Sequence, residues 1–121
     1  MVDTDTVMGT IERYGWALQY AVDEDPERSF AYTVGLHRRD LPEIVVAGLP
    51  PEQSWPVLND VAGRSTGEAN PIRSGAVLTD VVAGFVVRVE PLLDTRALTV
   101  VHALAPTTDV RAVELVPVAR R

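Results

Sequence analysis

Residues 30–49 constrain the fold most, because two apolar runs with different patterns are joined there by a short charged segment. In the first run, residues 30–36, large apolar side chains alternate with smaller residues, which is the period of a half-buried strand. The second run, residues 44–49, is almost continuously apolar, as expected for a strand covered on both faces. We therefore predict two neighbouring strands connected by the charged segment 37–43.

The remaining chain shows further strand and helix patterns. Apolar residues at helical spacing predict helices over 4–14 and 51–64, and alternation predicts strands over 16–22, 85–89 and 110–118. Segment 77–82 fits either an edge strand or a turn of helix. Segment 94–104 fits a strand, but Asp94 before a good helix former favours a helix that it would cap.

These elements predict an α+β fold in one domain over residues 1–121. The acidic turn 23–29 joins two strand patterns and indicates an antiparallel hairpin. We expect a mainly antiparallel sheet of about five strands, covered on one face by two or three helices. The predicted core comprises Trp16, Leu18, Phe30, Val34, Val45, Leu58 and Phe85.

Composition excludes several classes of function. The net charge is −6, and the 11 basic residues, all arginine, form no stripe, so we expect no nucleic-acid partner. Absence of lysine and cysteine excludes Schiff bases, P-loop lysines, thiolate nucleophiles and disulfides. No apolar run approaches the length of a membrane helix, so we expect no membrane partner. A soluble cytoplasmic protein is the default, and the arginine-only, Ala- and Val-rich composition suggests a bacterial source.

Four residues in or beside the charged segment are the ligand-binding candidates: Tyr32, Thr33, His37 and Glu43. Loops held by a rigid sheet commonly carry function, and this one gathers a histidine, two arginines and two acids. Glu43 can be a pocket carboxylate near Tyr32 or Thr33, or it can form an ion pair with a nearby arginine. No metal-binding spacing or cofactor motif is present, so the sequence predicts no cofactor and no metal.

The tryptophans and the second histidine have simpler interpretations. Trp16 and Trp55 are interpreted as core anchors rather than as a cage for a ligand. His102 could join His37 in a site assembled by the fold, but local hydrogen bonding would satisfy it equally well.

Several short motifs occur in order along the chain: Gly15-Trp16, Tyr32-Thr33-Val34-Gly35-Leu36, Pro42-Glu43, Gly48-Leu49 and Leu58-Asn59-Asp60. Together they resemble a bacterial family, the domain of unknown function forty-two sixty-two. The resemblance covers about residues 11–90 and weakens after that. Because no activity is established for that family, the resemblance implies no catalytic role for any residue.

Three classes of function follow from this pattern. We favour a non-catalytic module that binds an unknown small molecule or a protein partner; the absence of a catalytic signature favours this class and the structural class over an enzyme. The alternatives are an enzyme with its site at the loop from His37 to Glu43, and a structural or homo-oligomer-forming unit. A concave pocket shared by His37, Glu43 and Tyr32 would favour the enzyme.

Overall fold

The computed structural model describes residues 4–67, 72–81, 85–106 and 109–120. The helices are α1 (Thr4–Tyr14), α2 (Pro51–Gly67) and α3 (Thr99–Leu104). The strands are β1 (Ala17–Ala21), β2 (Phe30–Val34), β3 (Glu43–Ala47), β4 (Val77–Val81), β5 (Phe85–Pro91) and β6 (Ala112–Arg120). Two 3₁₀ turns, Pro26–Arg28 and Leu36–Arg39, lie between strands. Among the described residues, no helix has both the length and the apolar character needed to cross a membrane.

The predicted α+β class is confirmed, but the sheet has six strands and is mixed. Its order is β1-β2-β3-β6-β5-β4. Neighbouring strands are antiparallel except β3 and β6, which pair in parallel from Glu43 opposite Ala112. The long chain between these two strands allows the crossover that a parallel pair requires. The sheet is mainly antiparallel, as predicted, but the prediction of about five strands missed one strand and this crossover. Alternation within a strand carries no information about its neighbours.

Two segments with open interpretations are now assigned. The uncertain segment 77–82 contributes edge strand β4, although residue 82 lies outside the described residues. The helix favoured for 94–104 is present only as α3, and Asp94 does not cap it. Instead, the Asp94 carboxylate accepts hydrogen bonds from the backbone and side chain of Arg96, which lies before the helix.

Helices cover both faces of the sheet, so the prediction of one covered face was wrong. On one face, α2 contributes Val57, Leu58, Val61 and Ala62 to a cluster that includes Ile44 and Val46 of β3. On the other face, the cluster around Val45 contains Val7 and Ile11 of α1 together with Val100 and Val101 of α3. Because successive residues of a strand point to opposite faces, β3 supplies both clusters. Burial of β3 on both faces explains why its apolar run is continuous.

Three of the seven predicted core residues are buried, and three are only partly buried. Val34, Val45 and Leu58 are buried. Trp16, Leu18 and Phe30 are only partly buried, although each packs against one of the two clusters. Trp16 and Leu18 belong to the end of the sheet, where an edge strand has a neighbour on one side only. The side chain of Phe85 lies outside the described residues.

Two acids face each other across the antiparallel pair of β5 and β6. Glu90 lies directly opposite Glu114. Partial burial, and to a lesser extent the charge of Glu90, raise the pKa of Glu114 above its ordinary value of 4.5. The folded protein therefore holds this proton to a higher pH than the unfolded chain does. The stability of the protein should therefore fall as the pH rises from the pKa of Glu114 in the unfolded chain to its higher pKa in the folded protein.

We expect Glu114→Gln to be more stable than the parent protein at pH 7 and equally stable below about pH 4, where the carboxyl is protonated in both states. Urea unfolding at the two pH values measures the difference. Glu24→Gln, which removes an exposed loop charge, is the matched control and should show no such change. A Glu114→Gln variant that is less stable at pH 7 would contradict the assigned cost of this charge.

Candidate functional site

Strand β2 ends at a sharp turn that is possible only because residue 35 is glycine. Gly35 has a φ of +120°, in a region that side-chain-bearing residues rarely adopt. A Cβ atom at this position would also lie 3.0 Å from Cγ1 of Ile11 on α1. The turn redirects the chain into the 3₁₀ segment Leu36–Arg39, which ends at Asp40 with φ of 58°. Alternation in the sequence predicts that this strand continues to residue 36, whereas the structure ends β2 at Val34.

The carboxylate of Glu43 lies beneath this turn with no exposure to solvent. Oε1 accepts hydrogen bonds from Thr33 Oγ1 at 2.8 Å and from the Leu36 amide at 3.2 Å. Oε2 accepts from the amides of Gly35, at 2.9 Å, and His37, at 3.3 Å. Successive amide groups in such a turn form a concave site for an anion, and here the protein's own carboxylate fills it.

His37 completes the set of donors around Glu43. Its Nδ1 lies 2.7 Å from Oε2, and its side chain is 10% exposed. Since three backbone amides already donate to the carboxylate, the acceptor-only charged form of Glu43 fits the site, and Nδ1 carries the hydrogen toward it. In the part of the chain that the structure describes, Nε2 of His37 has no hydrogen-bond partner.

Thr33 links this network to the backbone of the next strand. Its hydroxyl oxygen accepts a hydrogen bond from the Ile44 amide at 2.9 Å while its proton is donated to Glu43. The side chain is fully buried between β2 and β3. One hydroxyl therefore joins the two strands on either side of the turn.

The structure brings three of the four candidate residues together and separates the fourth. Thr33, His37 and Glu43 share one network, whereas the buried Tyr32 projects from the opposite face of β2. The Tyr32 hydroxyl accepts a hydrogen bond from the Val100 amide at 3.4 Å. Neighbouring residues of a strand point to opposite faces, so Tyr32 and Thr33 could not both line one pocket.

The remaining polar alternatives are also placed. Among the described residues, Glu43 has no arginine partner, and its side-chain neighbour is the ring of His37 instead. His102 Nε2 lies 2.9 Å from the Thr95 carbonyl oxygen, so this histidine is satisfied locally and does not join His37. Within the described ranges, no group of three or more histidine or acidic side chains could hold a metal ion.

A cleft of about 510 Å³ opens beside the loop that Glu43 holds. Four segments surround it: residues 40–42, 72–74, 91–93 and 110–113. Its lining is mostly apolar, with Leu41, Pro42, Ile72, Pro91, Leu92, Leu93, Val110, Ala112 and Val113. We call this region the loop cleft. Pro42 lines it and is followed directly by Glu43, so the buried network lies immediately behind its wall.

Two arginines give the loop cleft its charge. Arg111 donates from Nη2 to the Asp40 carbonyl at 2.8 Å and to the Asp40 carboxylate at 3.1 Å. Arg73 also lines the cleft, and among the described residues its guanidinium has no partner. Two guanidinium groups against one carboxylate leave a local excess of positive charge in a protein whose net charge is −6.

Sequence reasoning missed both arginines. They lie far from residues 37–43 in the chain, and neither occurs in a motif with a chemical meaning. Arg111 could have been placed only from the β3–β6 pairing, in which its carbonyl accepts a hydrogen bond from the Glu43 amide at 3.0 Å. That pairing was not part of the predicted sheet.

We expect Glu43→Gln to lower the free energy of unfolding by about 2–4 kcal/mol, because an amide NH₂ would then face donors in a buried site. Urea unfolding measures the loss. Glu12→Gln, at an exposed position on α1, is the control and should stay within about 0.5 kcal/mol of the parent. A Glu43→Gln protein as stable as that control would show that the network does not stabilise the turn.

Comparison with known proteins gives a family but no relative of known activity. The family model described as Domain of unknown function (DUF4262) matches residues 10–121, which extends the match beyond the segment 11–90 that carries the motifs. Comparison with curated proteins found no significant match, and comparison with solved structures found none. Since the family model spans nearly the whole sequence, this chain belongs to the DUF4262 family.

Proposed function

We propose that this protein is a non-catalytic binding module that takes a small amphiphilic anion, with one carboxylate or phosphate group and an apolar body, in the loop cleft. The observation that carries the proposal is that two arginines line a mostly apolar cleft, and that among the described residues the guanidinium of Arg73 has no partner. Ligand sites commonly combine an apolar lining with a few polar groups that fix orientation, and this volume lies within their usual range of about 300–1,000 Å³.

The arginines suit the anionic end of such a ligand. A guanidinium presents a planar fork of donors that matches a carboxylate or a phosphate. Arg111 uses Nη2 to contact Asp40, and its other nitrogen atoms have no partner among the described residues. Both arginines are exposed at the surface, so an entering anion displaces water rather than a buried protein group.

The floor of the cleft suits the apolar end. Val110, Ala112 and Val113 are each less than 10% exposed. Ala112 and Val113 begin central strand β6, and Val110 lies just before it. Leu93, at 92% exposure, is the most exposed large apolar residue among those that the structure describes, and it lies in the same lining. Covering that side chain with an alkyl group would gain about 25 cal/mol for each Å² removed from water.

The Glu43 network supports this function by fixing the wall. Residues 40–42 connect the 3₁₀ turn to β3, and the Leu41 amide also donates to the Leu36 carbonyl at 3.2 Å. Because five donors hold Glu43 at the base of this loop, the wall is ordered before the ligand arrives. A preformed wall lowers the entropy that binding must remove.

Isothermal titration calorimetry with three probes of equal chain length tests the proposal: octanoate, octyl phosphate and octanol. We expect at least one anion to bind at least about tenfold more tightly than octanol, because charge-assisted hydrogen bonds are lost in the alcohol. Arg73→Gln should weaken anion binding by about tenfold or more. Arg38→Gln, which removes an exposed arginine outside the cleft, is the matched control and should leave the affinity unchanged.

Equal affinity for the alcohol and the anions would contradict the assigned role of the arginines. Equal losses in Arg73→Gln and Arg38→Gln would show that only the overall charge of the protein matters. Saturable binding to neither anion would refute the proposed function.

An enzyme at the loop is the second candidate, and the 2.7 Å contact between His37 Nδ1 and Glu43 favours it. A carboxylate that holds Nδ1–H orients the ring so that Nε2 can accept a proton. Neither His37 nor Glu43 lines the loop cleft, so a site at His37 Nε2 would lie apart from the cleft. A ligand bound within hydrogen-bond distance of His37 Nε2 in a complex structure would favour the enzyme over the binding module.

A further inference from the structure

Strand β1 forms one edge of the sheet without the features that usually protect an edge. It pairs with β2 over five consecutive residues without a register shift, and Ala17–Ala21 contains neither proline nor a charged residue. Alternate backbone N–H and C=O groups of an edge strand have no partner in the sheet, so natural edges are commonly blocked by charges, prolines or bulges. The opposite edge, β4, has a register shift between Leu78 and Val81 and contains Asp80.

A groove of about 630 Å³ lies beside the start of this open edge. It is bounded by α1 on one side and α2 on the other, and it is lined by Thr10, Tyr14, Trp16, Ala17, Leu18, Trp55 and Asn59. We call it the edge groove. Among the residues that the structure describes, no charged side chain lines it, and its aromatic residues include both tryptophans of the chain. The interpretation of Trp16 and Trp55 as core anchors was therefore incomplete, because both are partly exposed in one groove.

The walls of the edge groove are held in place by defined contacts. Trp16 Nε1 donates to Asn59 Oδ1 at 3.0 Å, which leaves the Asn59 amide nitrogen as a donor toward solvent. The ring of Trp55 packs edge-to-face on Tyr20 at 6.0 Å between centroids. The Tyr20 hydroxyl donates to the Leu49 carbonyl at 2.8 Å. Rigid aromatic walls bind with little loss of side-chain entropy.

An exposed acidic loop follows directly after β1. Residues 23–27 contain four acids, and the neighbouring Arg28 lies 4.0 Å from Asp25. Glu24 and Glu27 are exposed and, within the described ranges, their carboxylates have no partner. A strand added alongside β1 would place one of its ends beside these charges.

We propose that the edge groove binds an extended segment of another protein, which adds to β1 as a seventh strand and carries basic residues at the end beside the acidic loop. Backbone hydrogen bonds to an open edge supply affinity in this mode of recognition, and side-chain pockets supply specificity. A second copy of this chain suits the site less well, since each copy carries a net charge of −6. This proposal is independent of the loop cleft.

Selection of a phage-displayed library of linear heptapeptides against the whole protein, followed by synthesis of the strongest binder, tests the proposal. In that peptide we expect basic residues at one end. When the peptide binds, amide hydrogen exchange by NMR should slow at alternate residues of β1 while the Trp16 and Trp55 fluorescence changes. Enrichment of no peptide, or binding without slower exchange in β1, would overturn the proposal.

Substitutions locate the contact. Tyr14→Ala changes a residue that is 66% exposed and should weaken peptide binding, whereas Val118→Ala, 54% exposed on distant β6, should not. Glu24→Gln/Glu27→Gln should weaken binding about three- to tenfold. Glu12→Gln/Asp109→Asn removes the same charge from other exposed positions and should leave affinity unchanged. Equal losses in the two double variants would refute the assigned role of the acidic loop.

Arg73→Gln separates this proposal from the function of the loop cleft. Arg73 lines the loop cleft and not the edge groove, so this variant should lose anion binding and keep peptide binding. Loss of peptide binding in Arg73→Gln would contradict two independent sites.

Discussion

The arrangement of the central strands depends on the hydrogen bonds that the buried carboxylate of Glu43 accepts. A charge removed from water is costly unless hydrogen bonds replace its hydration, and Glu43 accepts them from Thr33, Gly35, Leu36 and His37. The same residue begins β3, and its amide bonds to the Arg111 carbonyl where β6 approaches. The turn after β2 and the start of the parallel pair are therefore fixed at one place.

The two proposed binding surfaces use different parts of this sheet. The loop cleft lies at the sheet end where β3 and β6 begin, and its charge comes from Arg73 and Arg111. The edge groove lies beside the start of β1, and the described residues that line it are uncharged and include three aromatic side chains. One surface suits a small anion and the other suits an extended backbone.

Local patterns in the sequence were enough to predict most elements but not their arrangement. The spacing of Val7 and Ile11 predicted α1 with the bounds it has, and the apolar run after Glu43 predicted a strand buried on both faces. The crossover that brings β6 beside β3 depends on packing between distant segments. The prediction that helices cover only one face of the sheet failed for the same reason. The pattern of each helix shows that it has a buried face, but not on which face of the sheet it packs.

The candidate site was predictable only in part. Thr33, His37 and Glu43 meet because they surround one turn, and turn residues are close in sequence. Tyr32 could have been excluded, since strand alternation places it on the face opposite Thr33. Glycine at position 35 is compatible with the left-handed conformation that the structure shows. The sequence does not show, however, that this conformation directs three backbone amides toward Glu43. Arg73 and Arg111 approach the loop through tertiary structure alone.

Native-state hydrogen exchange at the amides of Gly35, Leu36 and His37 tests the central role of Glu43 most directly. These three groups donate to a carboxylate with no solvent exposure, so we expect them to exchange only when the protein unfolds globally. In Glu43→Gln, the protection of these three amides against exchange should fall selectively. The protection of amides in the middle of β3 should fall only by as much as the global stability falls. Rapid exchange of the three amides in the parent protein would contradict the account.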